Sequence, residues 1–167
     1  MRDVVAPDLD VLFCGINPGL YTAAIGHHFG RPGNRFWKVL HLAGFTPREL
    51  SPFEERELLD YGCGVTNIVN YATARADELD DEDLRGGAQR LTRTAKRWRP
   101  RAVAVLGMDA YRTAFDRKRV AVGRQEQSLG DAMVWVLPNT SGLQASYQLA
   151  DLVTLFAGLR RAVGVRR

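Results

Sequence analysis

The 167-residue chain is poor in the residues that mark several large protein classes, with only two cysteines and three histidines. Cys14 and Cys63 sit in or beside apolar segments with no CxxC spacing, so both thiols read as buried and reduced. A pair of cysteines also falls short of the four thiolates that an iron–sulfur cluster usually takes. No apolar run approaches the ~20 residues of a membrane-spanning helix. The opening MRDVVAPDLD carries charge but no apolar core of a secretory signal, so a cytoplasmic setting is expected. GxGxxG and GxxxxGK[ST] are both missing, and with them the common nucleotide-phosphate fingerprints. The HxE…PCxxC pattern of the zinc deaminases is missing too. No internal repeat, low-complexity tract or break in composition divides the chain, and residues 1–167 are expected to form one domain.

What is present is enough hydrophobic residue, 46%, for a real core. A net charge of +4 makes the chain mildly basic and compatible with an anionic partner. Its two basic clusters, RWRPR at 97–101 and RRAVGVRR at 160–167, read as solvated surface.

Four short apolar runs read as strands: DVLFCG (10–15), GVTNIVN (64–70), RAVAVLG (101–107) and MVWVLPN (133–139). Helices are expected between them. Asn34 precedes RFWKVLHLAG, with Phe36, Val39, Leu40 and Ala43 at helical spacing and Gly44 as the stop. Ser51, Pro52 and Glu54 open SPFEERELLDYG (51–62) as a capping box would. Residues 80–98 run from acidic to basic with the stripe Leu84, Ala88, Leu91, Ala95, Trp98, although Gly86-Gly87 weakens the helix. Residues 108–115 and 149–163 complete the set. This alternation predicts an α/β fold, a mainly parallel sheet covered on both faces. Ligands bind such sheets beyond the C-terminal ends of the strands, where GINPGL (15–20) and PNTSGLQAS (138–146) lie.

Asn17 has two readings at this level. Asn-Pro and Pro-Gly are turn dipeptides, which alone account for it. Alternatively its amide carbonyl is a fixed acceptor that holds a water in line but hardly deprotonates it, which suits an electrophile already as reactive as an oxocarbenium-like sugar. The run Asp80 to Asp83 reads as a helix start rather than a metal site, and His27-His28 as loop residues facing a ligand.

GINPGL (15–20), GHHFGRPGNRFWKVLHLAGFT (26–46), GVTNIV (64–69) and LPNTSGL (137–143) occur in order along nearly the whole chain. Together they resemble the mismatch-specific uracil/thymine-DNA glycosylases of the uracil-DNA glycosylase superfamily. The resemblance implies a three-layer α/β/α sandwich. It implies that Asn17 positions the attacking water, that Phe29 stacks on a flipped base, and that Ile16, His28 and Asn67 belong to the base pocket. Asn139, Ser141, Gly142, Leu143 and Gln144 match the wedge loop, with Leu143 filling the gap in the duplex and Ser141 on a phosphate. The implied reaction is monofunctional hydrolysis of uracil opposite guanine, with thymine or etheno-cytosine as further substrates, leaving an abasic site. It uses no metal or organic cofactor. The implied partners are duplex DNA with a mismatched pyrimidine and downstream base excision repair enzymes, the protein being a monomer, nucleoid-associated in a bacterium.

Three departures stand out. Thr140 occupies a position where bacterial relatives often have proline, which predicts a looser wedge loop. QASYQ (144–148) lacks the arginine that often follows the leucine. Asn67 stands where some bacterial members have lysine. Two competing readings remain at this level: a mismatch- or abasic-site binding module with little catalysis, and a small-molecule nucleoside or nucleotide hydrolase.

Overall fold

The computed structural model describes residues 1–143 and 146–164. Its centre is a five-stranded sheet of β1 (Val11–Gly15), β2 (Cys63–Asn67), β3 (Ala102–Leu106), β4 (Gly123–Leu129) and β5 (Ala132–Leu137), ordered β2-β1-β3-β5-β4. All neighbours pair in parallel except β4, which runs antiparallel to β5 at the edge. The helices are α1 (Leu20–Ile25), α2 (Phe36–Leu42), α3 (Asp81–Trp98), α4 (Met108–Ala114) and α5 (Leu149–Val163), with a 3₁₀ segment at Pro52–Tyr61. The expected α/β/α sandwich is the fold observed.

Period-two alternation along buried strands divides the core. Val11, Phe13, Ala102 and Ala104 face α2, α5 and the 3₁₀ segment, where Phe13 is packed by Phe36, Phe45 and Phe156. Cys14, Val103, Val105, Val134 and Val136 face α3 and α4. Cys14 is wholly buried there, and desolvation pushes its thiol pKa far up.

Four residues of the expected α3 stripe, Leu84, Ala88, Leu91 and Ala95, are buried, while Trp98 at the helix end is only half-buried; Asp80 caps the helix by accepting from Asp83 N at 2.7 Å. The glycine pair, an apparent weakness, has a packing reason: a Cβ on Gly87 would lie 2.3 Å from the Ile68 carbonyl oxygen. Glycine therefore lets α3 approach the end of β2, at a cost in helix propensity. Of the two basic clusters, 97–101 is surface: Arg97 lies over the Trp98 ring, Arg99 pairs with Asp8 and Arg101 with Asp10.

The sequence pattern predicts neither the short 3₁₀ turn Ala76–Glu78 nor β4 and α1. β4 (GRQEQSL) is polar and only half-buried on one face, so apolar content does not reveal it. The Gly130-Asp131 turn that joins it to β5, with Gly130 at φ +59°, is the signal that marks the hairpin. α1 lies inside the Gly- and Pro-rich stretch read as loop, and Gly26 at φ +76° ends it.

Candidate functional site

The chain leaves β1 for β2 on one side of the sheet, then crosses back to β3 on the other. The point where strand order reverses is therefore at the C-terminal ends of β1 and β3. A cleft of about 430 Å³ opens there, lined by Ile16, Asn17, His28, Phe29, Asn67, Thr73, Asn139 and Ser141 among others. Leu143 stands at its edge, 73% exposed.

Asn17 follows β1 and is half-buried. Its Nδ2 donates to the Tyr71 carbonyl at 3.1 Å and to Thr73 Oγ1 at 2.8 Å. A carbonyl only accepts, so the atom facing Tyr71 is the nitrogen, and the amide orientation is fixed. Both amide protons are thus spent, and among the described residues no donor reaches Oδ1. The Thr73 hydroxyl donates its own O–H to the Arg75 carbonyl at 2.6 Å, which leaves its lone pairs for Asn17. The Tyr71 phenol lies by Asp83 of α3, which pushes the phenol pKa up to about 12 while the Asp83 carboxyl pKa is lowered.

The base of the cleft is set by strand register. Gly15 pairs with Asn67 across β1 and β2. A Cβ on Gly15 would lie 2.8 Å from Asn67 Oδ1 and 3.3 Å from the Phe29 ring, so glycine gives both their room. His28 is almost fully buried. Its Nε2 lies 2.7 Å from the Arg2 carbonyl, which fixes the proton on Nε2. Nδ1 then accepts from Asn67 Nδ2 at 3.4 Å, leaving Asn67 Oδ1 over the Gly15 backbone. Arg90, from α3, donates to the carbonyls of Asn67 and Ile68, both at 2.6 Å, and holds the end of β2. The Phe29 ring stacks on Phe36, with centroids 4.0 Å apart and planes 22° from parallel.

The loop after β5 is hydrogen-bonded to Arg35 at the start of α2. Arg35 donates to the carbonyls of Tyr147 at 2.7 Å and Ser141 at 3.0 Å, and its backbone N–H donates to the Thr140 carbonyl. Thr140 is fully buried, and its hydroxyl donates to Asn34 Oδ1 at 3.0 Å, a bond proline cannot make. Threonine here supplies a buried hydrogen bond where proline would supply ring rigidity. Asn139 Oδ1 accepts from Ser141 N, and Ser141 Oγ accepts from Leu143 N, which fixes the turn below Leu143. Gly142 packs on the Gly33 carbonyl, where a Cβ would stand 2.7 Å away. A second cleft, about 230 Å³, lies between residues 31–34 and 141–143, and Arg31 lines both clefts. Gln144 lies outside the described residues.

Of the predicted site residues, Ile16, Asn17, His28, Phe29, Asn67, Asn139, Ser141 and Leu143 thus share one cleft, and Gly142 borders the adjoining one. Sequence reading missed Tyr71, Thr73, Arg35 and Arg90. Their bonds span 54 and 56 residues for the Asn17 contacts and 112 residues for Arg35 to Tyr147, which local pattern does not encode.

An oriented amide acceptor and an aromatic ring thus line one cleft at the open end of an α/β/α sheet. The family model described as "Uracil DNA glycosylase superfamily" matches residues 2–159. The chain belongs to that superfamily, and so to the DNA glycosylases, hydrolases that act on uracil in DNA and serve DNA repair.

Proposed function

We propose that this DNA glycosylase is mismatch-selective and monofunctional, hydrolysing the N-glycosidic bond of uracil opposite guanine in duplex DNA. The observation that carries the reading is the Asn17 amide, whose two protons are spent on Tyr71 O and Thr73 Oγ1. Its free Oδ1 accepts a hydrogen bond from a water O–H and aims the water oxygen at the anomeric carbon. The amide does not ionise the water. It serves a sugar that has already begun to lose its base, where positioning is most of what the nucleophile needs.

Phe29 stacks on the extruded base without choosing among bases. Choice falls to Asn67, whose Oδ1 accepts the imide N3–H of uracil or thymine but faces the bare N3 lone pair of cytosine. Leu143 enters the duplex and offsets part of the unstacking cost, which is lowest where the pair is already a mismatch. Ser141 retains its hydroxyl proton for a phosphate, and Arg31 adds charge at the mouth of the cleft.

Selectivity is tested with excess enzyme on duplexes carrying U·G, U·A, T·G and etheno-cytosine·G, and on single-stranded uracil. Release from U·G is expected to exceed release from U·A by about tenfold or more, as flipping costs a few kcal/mol and least at a mismatch. Equal rates on U·G, U·A and single strands would contradict mismatch selectivity.

Thr73 is a positioning residue in this reading. Thr73→Val keeps the shape and deletes the acceptor, so the single-turnover rate is expected to fall about 3- to 10-fold, the worth of one hydrogen bond. Affinity for an abasic-site duplex stays unchanged, and Thr73→Ser restores the rate. A Thr73→Val enzyme as fast as wild type would show that Asn17 needs no such support.

A further inference from the structure

We propose that Glu55 is a positioning residue: its buried carboxylate holds the His27–Gly30 turn in the conformation that presents the Phe29 ring to the extruded base. What the ring stacks on rests on the proposed function. The geometry of the turn does not.

Phe29 has φ +52°, the left-handed region. A bulky side chain is rare there and persists only where its surroundings over-determine the backbone. They do so on both sides. Before Phe29, His28 N donates to Glu55 Oε2 at 2.6 Å, and the His28 carbonyl accepts from Trp37 Nε1 at 3.3 Å. After it, Gly30 N donates to Thr22 Oγ1 at 3.1 Å. Gly30 itself closes the turn, since a Cβ there would lie 2.9 Å from the His27 carbonyl oxygen.

The Glu55 bond is the shortest of the three and the one assisted by charge. The carboxylate comes from outside the loop, on the Pro52–Tyr61 segment, which Leu58 roots in the core and the Ser51–Glu54 bond caps. Glu55 is only 8% exposed, yet among the described residues no lysine or arginine pairs with it. Its polar partners all lie on the turn: His28 N, and His27 Nδ1 at 3.5 Å from Oε1. That second contact is within ion-pair range but outside hydrogen-bond geometry, leaving His27 Nδ1 buried without a hydrogen bond. A buried carboxylate kept without a fixed cation, and committed wholly to one turn, serves that turn. Removing it orphans the buried His28 N–H and releases the flank that keeps φ of Phe29 positive.

The test compares Glu55→Gln, which keeps an acceptor for His28 N, with Glu55→Ala, which does not. NMR on labelled protein reads the turn without any reaction, through the Phe29 backbone coupling and the Phe29–Phe36 ring contact. Both are expected to survive in Glu55→Gln and to be lost or averaged in Glu55→Ala. In single-turnover uracil release from a U·G duplex, Glu55→Ala is expected to be about tenfold slower, the effect of one charge-assisted bond. Its affinity for an abasic-site duplex, which has no base to stack, stays at the wild-type value. In a Phe29→Ala background the Glu55→Ala change adds less than about twofold, because both act through one ring.

The proposal is overturned if Phe29 keeps its conformation in Glu55→Ala, if Gln is as damaging as Ala, or if the Glu55→Ala and Phe29→Ala losses multiply. Should Glu55→Ala fail to fold, Thr22→Val removes the acceptor on the other flank and must give the same pattern. A wild-type protein that releases no uracil would refute the proposed function, and the NMR comparison would still decide the role of Glu55.

Discussion

Asn17→Ala is expected to slow single-turnover release of uracil by about 10²–10³-fold, the usual scale for losing a group that orients a reactant in the transition state. Binding of an abasic-site duplex should change little. The reason lies in the bonding of the amide. Asn17 spends its nitrogen on Tyr71 and Thr73, so its carbonyl is aimed rather than merely present. Asn17→Asp is the informative partner. It keeps an oxygen but turns acceptors toward the Tyr71 carbonyl and loses both donor bonds, so the carboxylate is expected to swing away and recover little activity. Fluorescence-monitored binding alongside rapid-quench release separates the two quantities. Equal loss of binding and release in Asn17→Ala would leave Asn17 as a turn residue of the GINPG segment.

Leu143→Ala carries the second large effect, and it is selective. Leu143 is 73% exposed in the free protein, an apolar side chain held out by the Asn139–Ser141 turn and the Arg35 clamp. Inserted into a duplex, it gains the burial it lacks here, ~1.5–3 kcal/mol for a leucine side chain. Losing most of that predicts a fall of about 10- to 100-fold in release from duplex U·G. On single-stranded uracil there is no gap to fill, and the expected change is under about threefold. Comparing both substrates for wild type and variant checks this. A uniform loss on both would place Leu143 in the pocket rather than in the duplex, and no loss on either would favour hydrolysis of small nucleosides.

The architecture was readable because its strands are short apolar runs and its helices carry stripes. The α3 stripe lies where the spacing puts it, and the Asp80–Asp83 cap is visible in sequence. β4 escaped because an edge strand needs no apolar face, and α1 because glycine and proline around it read as loop. At the cleft, the residues within GINPG, GHHFG and PNTSGL could be named as neighbours, since each is a contiguous word. Their orientation could not. The direction of the Asn17 amide depends on Tyr71 and Thr73, in a stretch (YATAR) with no periodicity of its own. The His28 tautomer depends on the Arg2 carbonyl, held beside β2 by the Val4–Val65 bridge. The left-handed Phe29 depends on an acid 26 positions later. Each is a long-range contact that no local rule contains, and each decides what the named residue can do.

The most direct test of the central claim is a single-turnover reaction of excess protein with a U·G duplex, following free base, strand integrity and bound complex together. Stoichiometric free uracil is expected, with an intact strand that breaks only on later alkaline treatment and unchanged guanine opposite. A duplex held tightly with its uracil still attached would contradict it, and would make the chain a mismatch-binding protein rather than an enzyme.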